Sequence, residues 1–170
     1  AAGMTALLAE RGIVPDYAAG LSLGEYSALQ CAGVFTAPQA ISLAAFRGKA
    51  MAAAAAGRPC GMTAVLGLDR EKLQEACRQA AGAGVVEIAN YNCPGQLVIG
   101  GEQAAVDQAA ALAKELGAKR CLPLKVSGPF HTSLLAPAGD ALREKFKETA
   151  FGAMRRSEEH TSELQSQRDI

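Results

Sequence analysis

The order of predicted elements between Gly61 and Val126 restricts the fold more than any other feature of this sequence. Hydrophobic periodicity there predicts, in order, a strand over 62–68, a helix over 70–81, strands over 85–89 and 96–99, a helix over 102–116 and a strand over 119–126. The order β-α-β-β-α-β is that of ferredoxin-like folds. We therefore predict an α/β protein in which 61–126 form a small ferredoxin-like subdomain, inserted into a larger body that consists of 1–60 and 127–155.

The body is predicted from capping and turn signals as well as from periodicity. A short apolar strand over 17–21 leads into a helix that runs to about Gly33. Thr36 is a suitable N-cap for the long Ala-rich helix that follows, and Asp69 is a suitable N-cap for the first helix of the subdomain. A last helix is expected over 134–148.

The composition excludes several classes of protein. The chain has 170 residues, 49% of them hydrophobic, and a formal net charge of +0, which argues against nucleic acid or an anionic membrane as the main partner. No apolar run is long enough to span a bilayer, and the first residues do not have the pattern of a signal peptide. The five cysteines form no CxxC pair, so we expect no metal site and a cytoplasmic protein.

The last fifteen residues differ from the rest of the chain. Residues 156–170 read RSEEHTSELQSQRDI, which is polar and has no hydrophobic periodicity. Residues 156–166 also correspond, codon by codon, to a common sequencing-library adapter read as protein. We therefore interpret 156–170 as a non-native tail without a packed core, with a genuine solvated terminus as the alternative. Without the tail, His131 is the only histidine of the chain.

A serine stands at a turn where a nucleophile could be presented. Gly20-Leu21-Ser22-Leu23-Gly24 matches the pattern GxSxG between a predicted strand and a predicted helix. Glycines permit a tight turn, and the free amides of the following helix point to the place where an oxyanion would form. The pattern also arises by accident in an Ala- and Gly-rich chain, but its place between strand and helix favours a nucleophilic serine.

Further residues could complete a site around Ser22. A serine hydroxyl needs a base at neutral pH, and His131 in SGPFHTSLL is the candidate, with an incidental loop histidine as the alternative. Arg47 lies among apolar residues in FRGKAM, where its guanidinium could bind a substrate carboxylate, although such an arginine can also extend to the surface. Asn90 and Asn92 in NYNCPGQ are polar groups beside a turn, which turn chemistry alone can explain.

Four separated motifs together resemble one enzyme family. GLSLGEYSALQCAGV, FRGKAM, NYNCPGQLVIGG and VSGPFHTSLL resemble, in this order, the malonyl-CoA:acyl carrier protein transacylases of fatty acid synthesis. The resemblance implies that Ser22 accepts the acyl group and that His131 is its base. It also implies that Arg47 binds the malonyl carboxylate and that the Leu23 amide donates to the oxyanion. Leu21 stands where many members have histidine, which implies a change in pocket packing.

The resemblance also carries expectations about fold, substrates and partners. The body should be a truncated α/β-hydrolase-like acyltransferase, because the family's first strand with its GQGxQ loop and its last strands have no counterpart in this chain. The substrates should be malonyl-CoA and the phosphopantetheine thiol of acyl carrier protein. No metal or other cofactor is expected, and the enzyme should be monomeric.

Three other interpretations stay open at this point. An acyltransferase domain of a polyketide synthase would share every motif named above. A serine esterase of the α/β-hydrolase type would place an acid between the serine and the histidine, and Asp69 or Asp107 could formally serve. The chain could also be an inactive fragment, because missing strands would leave apolar edges exposed.

Overall fold

The computed structural model describes residues 1–154 and the backbone of 157–160, and these residues form an α/β fold, as the sequence predicts. Two short 3-10 turns lie at Ala81–Ala83 and Ser133–Leu135. The described helices and strands follow in chain order: α1 (Ala2–Glu10), β1 (Tyr17–Gly20), α2 (Leu23–Cys31), α3 (Ala37–Ala55), β2 (Cys60–Leu66), α4 (Arg70–Ala80), β3 (Val86–Cys93), β4 (Gln96–Glu102), α5 (Gln103–Glu115), β5 (Arg120–Pro123), α6 (Ala136–Lys147) and β6 (Ser157–His160).

Two of the predicted helix caps are confirmed in atomic detail. Thr36 and Gln39 form a capping box: the Gln39 amide donates to Thr36 Oγ1 over 3.3 Å, and Gln39 Oε1 accepts from the Thr36 amide over 2.9 Å. At the start of α4, Asp69 Oδ1 accepts from the Lys72 amide over 2.9 Å. These local bonds explain why both helices begin where the sequence predicts.

The chain divides into two compact units. The first unit comprises 1–48 and the described residues from 142 onward, and the second unit comprises 49–141. The divisions fall inside α3 and α6, whereas the sequence placed the subdomain boundaries at 60/61 and 126/127. The second unit therefore contains the predicted subdomain together with the flanking 49–60 and 127–141.

The second unit is built on a four-stranded antiparallel sheet in the order β3-β4-β2-β5. Its two central strands, β2 and β4, are buried on both faces. On one face, Val65 and Ile99 pack against α4 and α5, which contribute Leu73, Val106 and a row of alanines to the core. The small alanine side chains allow the helices to pack close to the sheet, and the burial of these apolar groups stabilises the unit.

The first unit has a small aromatic core. Tyr26 on α2 stacks on Phe35 with ring centroids 6.4 Å apart, and Phe151 lies 5.6 Å from Phe35 and 6.0 Å from Phe146. The Gly152 amide donates to the Val34 carbonyl over 2.8 Å, which ties the segment after α6 to the turn between α2 and α3. In contrast, none of the residues of helix α1 is buried.

The predicted tail lies mostly outside the described residues. Its predicted lack of a core concerns side chains that the structure does not describe, so it stays a prediction. The backbone of 157–160 forms β6, which pairs in parallel with β1 from Tyr17 opposite Ser157 to Gly20 opposite His160. The polar composition of this segment gave no signal of a strand.

Candidate functional site

Ser22 lies in a tight turn between β1 and α2, as the GxSxG pattern predicts. Its backbone is in the left-handed region, with φ 56° and ψ −105°, which is unusual for a residue other than glycine. Gly20 is required for this turn, because a Cβ atom at Gly20 would collide with the backbone of Gly24 and Glu25. Gly24 is different, since a Cβ atom there would meet no atom within 4 Å. The turn thus depends on its first glycine.

The first turn of α2 lies directly beside the serine hydroxyl. The Gly24 amide donates to the Leu21 carbonyl over 2.9 Å, whereas the described hydrogen bonds leave the Leu23 amide without an acceptor. A helix N-terminus carries a partial positive charge and unpaired N–H groups, so it favours an anion at this place. The side chains of Leu21 and Leu23 are more than half exposed. The Leu23 amide is thus suited to the oxyanion role that the sequence suggested.

Arg47 on α3 lies next to the serine. Its Nη2 atom donates to Ser22 Oγ over 2.6 Å, and the side chain is half-buried. The structure therefore brings together two of the predicted site residues that are 25 positions apart in the chain. A half-buried guanidinium with further N–H groups is suited to bind a carboxylate that belongs to a substrate attached to this serine.

Tyr26 is one helical turn beyond the serine and faces the core. Burial raises the pKa of its hydroxyl above the ordinary 10.0, the positive charge of Arg47 lowers it, and the negative charge of Glu25 raises it. The phenol is therefore neutral at physiological pH, so Tyr26 acts here as a core aromatic group rather than as a charge partner.

His131 belongs to a loop of the second unit that is folded against the sheet. Its backbone has φ 60°, and Ser22 and His131 are the two residues other than glycine with positive φ in the described part of the chain. The preceding Phe130 packs against Met62, Ala64 and other residues on the sheet face opposite the helices. The His131 side chain itself is exposed. Strain of this kind often accompanies a functional residue, and it supports the choice of His131.

Ser22 and His131 lie in different compact units, so a hydrogen bond between the hydroxyl and the imidazole stays a prediction. Asn90 is half-buried in β3 beside an irregularity in its pairing with β4, and Asn92 is exposed near the turn. Their contact with a substrate also stays a prediction.

Sequence reasoning missed the side chains that hold the histidine loop. Thr132 Oγ1 donates to the Pro129 carbonyl over 2.7 Å. Glu87 on β3 accepts two hydrogen bonds from Ser133, 2.7 Å from its amide and 2.6 Å from its hydroxyl. The sequence around Glu87 shows only a charged residue inside a predicted strand. Its partner Ser133 follows 46 residues later, so no local pattern indicates the contact.

The described residues contain no cluster of three or more His, Cys, Asp or Glu side chains that could hold a metal ion. Among the same residues, no helix combines the length and hydropathy that a membrane crossing requires.

Comparison with known proteins gives a consistent result. The family model described as "Acyl transferase domain" matches residues 1–169. The chain is 52% identical over 128 residues to the malonyl CoA-acyl carrier protein transacylase of Haemophilus influenzae, a match that covers 75% of this chain and 41% of that protein. It is 47% identical over 136 residues to the Bacillus subtilis protein of the same name, covering 79% and 43%.

Solved structures extend this comparison to the fold. MCAT from Streptococcus pneumoniae matches with a TM-score of 0.86 and 48% identity, covering 94% of this chain and 52% of that chain. A malonyl-transacylase solved in complex with a type II PKS acyl-carrier protein matches with a TM-score of 0.87 and 42% identity, covering 91% and 50%. The chain spans less than half the length of the two curated relatives and about half of each solved chain.

Proposed function

Because the chain belongs to the family of acyl transferase domains, we propose that it is the part of a malonyl-CoA:acyl carrier protein transacylase that carries the nucleophile and its base. The whole enzyme transfers a malonyl group from malonyl-CoA to the phosphopantetheine thiol of acyl carrier protein in fatty acid synthesis. The observation that carries this proposal is the 2.6 Å hydrogen bond between Arg47 and Ser22. It combines, at one point, a nucleophile and a group that selects for a carboxylate.

The proposed reaction has two half-reactions. In the first, His131 takes the proton of Ser22 while Oγ attacks the thioester carbonyl; the C–O bond forms, the C–S bond breaks, and CoA leaves with the proton from His131. In the second, His131 takes the proton of the phosphopantetheine thiol, whose sulfur attacks the malonyl-serine ester. The serine oxygen leaves and recovers a proton from His131. Both steps pass through a tetrahedral oxyanion, for which the Leu23 amide is a donor.

Arg47 gives the reaction its preference for malonyl groups. In a malonyl-serine ester the carboxylate ends only a few bonds away from the serine oxygen. The guanidinium already contacts that oxygen, so a small movement lets it bind the carboxylate through two N–H groups. Leu21, Asn90 and Asn92 are proposed to line the substrate site.

The finer description of the fold is also a proposal. The β-α-β-β-α-β order of the second unit and its strand order β3-β4-β2-β5 support a ferredoxin-like subdomain over 61–126. The strand–turn–helix at Ser22 supports an α/β-hydrolase-like body, of which this chain supplies a part. We propose a cytoplasmic, monomeric enzyme that needs no cofactor.

A second carrier is a specific alternative. One of the matching solved structures holds a type II PKS acyl-carrier protein, so the acceptor could be a polyketide carrier rather than the carrier of fatty acid synthesis. Transfer rates to the two kinds of carrier, measured with the same enzyme, distinguish these cases.

The test uses the full-length protein that contains this segment. After incubation with malonyl-CoA and rapid quenching, mass spectrometry should find one malonyl group on the peptide that carries Ser22. Addition of holo acyl carrier protein should move the group to the carrier. Ser22→Ala should abolish both, and Ser27→Ala, five residues further along the chain and inside α2, is the control. Hydrolysis without transfer would identify an esterase instead, and absence of label would contradict the proposal.

A further inference from the structure

The loop that carries His131 is held at several points. On one side of the histidine, Phe130 packs on the sheet. On the other side, Thr132 is 8% exposed and bonds the Pro129 carbonyl, while the Ser133 amide and hydroxyl both donate to the Glu87 carboxylate. The strained backbone of His131 therefore lies between fixed neighbours, as a strained residue requires.

The sheet is shaped to receive this loop. Glu87 on β3 pairs with Gly100 on β4. A Cβ atom at Gly100 would lie 3.2 Å from Thr132 Cγ2, which is tighter than ordinary contact. One strand thus leaves space for Thr132 while the neighbouring strand supplies the carboxylate for Ser133. Within the second unit, the sheet therefore contacts both residues that follow His131: Thr132 packs against Gly100, and Ser133 bonds to Glu87.

We propose that Glu87 is a positioning residue, which fixes the backbone at His131 through Ser133 so that the imidazole is presented in one orientation. The inference rests on the proposed role of His131 as the base, but the contacts that support it do not depend on that role. The two donors bond to different oxygens of one carboxyl group, so a single side chain holds both the backbone and the side chain of Ser133.

A purely structural role for Glu87 is the competing explanation. The Ser133 amide begins the 3-10 turn that precedes α6, so the carboxylate could serve only as a cap. The same unit offers a matched comparison. Glu102 is also half-buried, and its Oε2 accepts from the Val85 amide over 2.8 Å, away from the histidine loop. Removal of either carboxylate leaves a backbone amide without its acceptor, but only Glu87 contacts the loop.

The experiment compares Glu87→Ala with Glu102→Ala in the full-length protein. Both variants are expected to lose thermal stability, whereas only Glu87→Ala should lower kcat for malonyl transfer, by about tenfold or more, with little change in KM, because a misplaced catalytic group slows the reaction without weakening binding. Ser133→Ala removes one of the two bonds and should show a smaller loss of kcat. The double variant with Glu87→Ala should lose no more than Glu87→Ala alone.

A measurement independent of activity separates this inference from the proposed function. The imidazole NMR signal of His131 is assigned by its loss in His131→Gln. It should shift or broaden in Glu87→Ala and remain unchanged in Glu102→Ala. If the wild type transfers malonyl groups but both glutamate variants lose kcat equally and keep the His131 signal, the positioning role is wrong while the function stands. If the wild type does not transfer malonyl groups, the function fails and the NMR comparison alone decides on Glu87. Should Glu87→Ala not fold, Ser133→Ala provides both readouts.

Discussion

Replacement of Arg47 by alanine tests whether this residue selects the acyl group. Malonyl and acetyl thioesters present the same carbonyl to Ser22 and differ by one carboxylate. The guanidinium Nη2 lies 2.6 Å from Ser22 Oγ and is half-buried, so it lies within reach of that carboxylate. A hydrogen bond to a charged group contributes roughly 1.5–3 kcal/mol, which corresponds to about ten- to hundredfold in rate or affinity.

The expected result for Arg47→Ala is a loss of malonyl transfer of at least about tenfold, while acetyl transfer is preserved or rises. An arginine that faces an acetyl group loses its hydrogen-bond partner, and this penalty disappears with the side chain. The assay measures transfer of each acyl group from CoA to carrier protein at matched enzyme concentration. Lys49→Ala is the control, because Lys49 is an exposed cation on the same helix. Equal losses of malonyl and acetyl transfer in Arg47→Ala would refute the selectivity argument.

Two further predictions follow from single positions. Gly20→Ala forces a Cβ atom into the backbone at Gly24, so it should lower the free energy of unfolding by about 1–3 kcal/mol or more, as measured by thermal denaturation, and abolish acylation of the serine. Gly24→Ala places its Cβ atom in open space, so this variant should fold and retain activity. Burial raises the pKa of the Cys77 thiol from 9.0 to about 11, which makes its thiolate about a hundredfold scarcer near neutral pH. Peptide mapping after iodoacetamide treatment should therefore find the exposed Cys93 modified well before Cys77, and the rate at Cys77 should rise as the pH approaches 11; equal rates at pH 8 would contradict this.

Elements with a local chemical signal could be predicted from the sequence. Thr36 and Asp69 cap helices through bonds to residues three positions away, so each signal lies within a few letters of the sequence. Strand β5 was predicted over 119–126, but its pairing with β2 ends at Pro123. Proline has no N–H to donate to a ladder, which limits it to strand ends and edges. Beyond it, the Leu124 amide still donates to the Met62 carbonyl on β2 over 2.9 Å. Hydrophobic periodicity carries no information about this restriction.

Features that depend on distant residues could not be predicted in the same way. In the sequence, Glu87 is only a charged residue in a half-buried strand. Its contact with Ser133 is formed by the fold. The strand formed by 157–160 also lacks a local signal, because its hydrogen bonds come from β1, far away in the sequence. The contact between Arg47 and Ser22 could be predicted only in part. Each residue was a candidate because of its own sequence surroundings, but their hydrogen bond is seen only in the structure.

The two strained residues explain why the candidate site was easier to find than its supports. A residue with positive φ needs neighbours that permit or enforce this conformation, and here these neighbours are glycines and prolines that can be recognised in the sequence. Ser22 is flanked by Gly20, which the close approach of α2 requires, and His131 follows a Gly-Pro pair in a loop that must turn sharply. The residues that hold the strained backbone, such as Glu87, have ordinary conformations, so no sequence pattern indicates them. A sequence motif therefore indicates where the backbone is strained. The side chains that stabilise the strained conformation, such as Glu87, are identified only by their contacts in the structure.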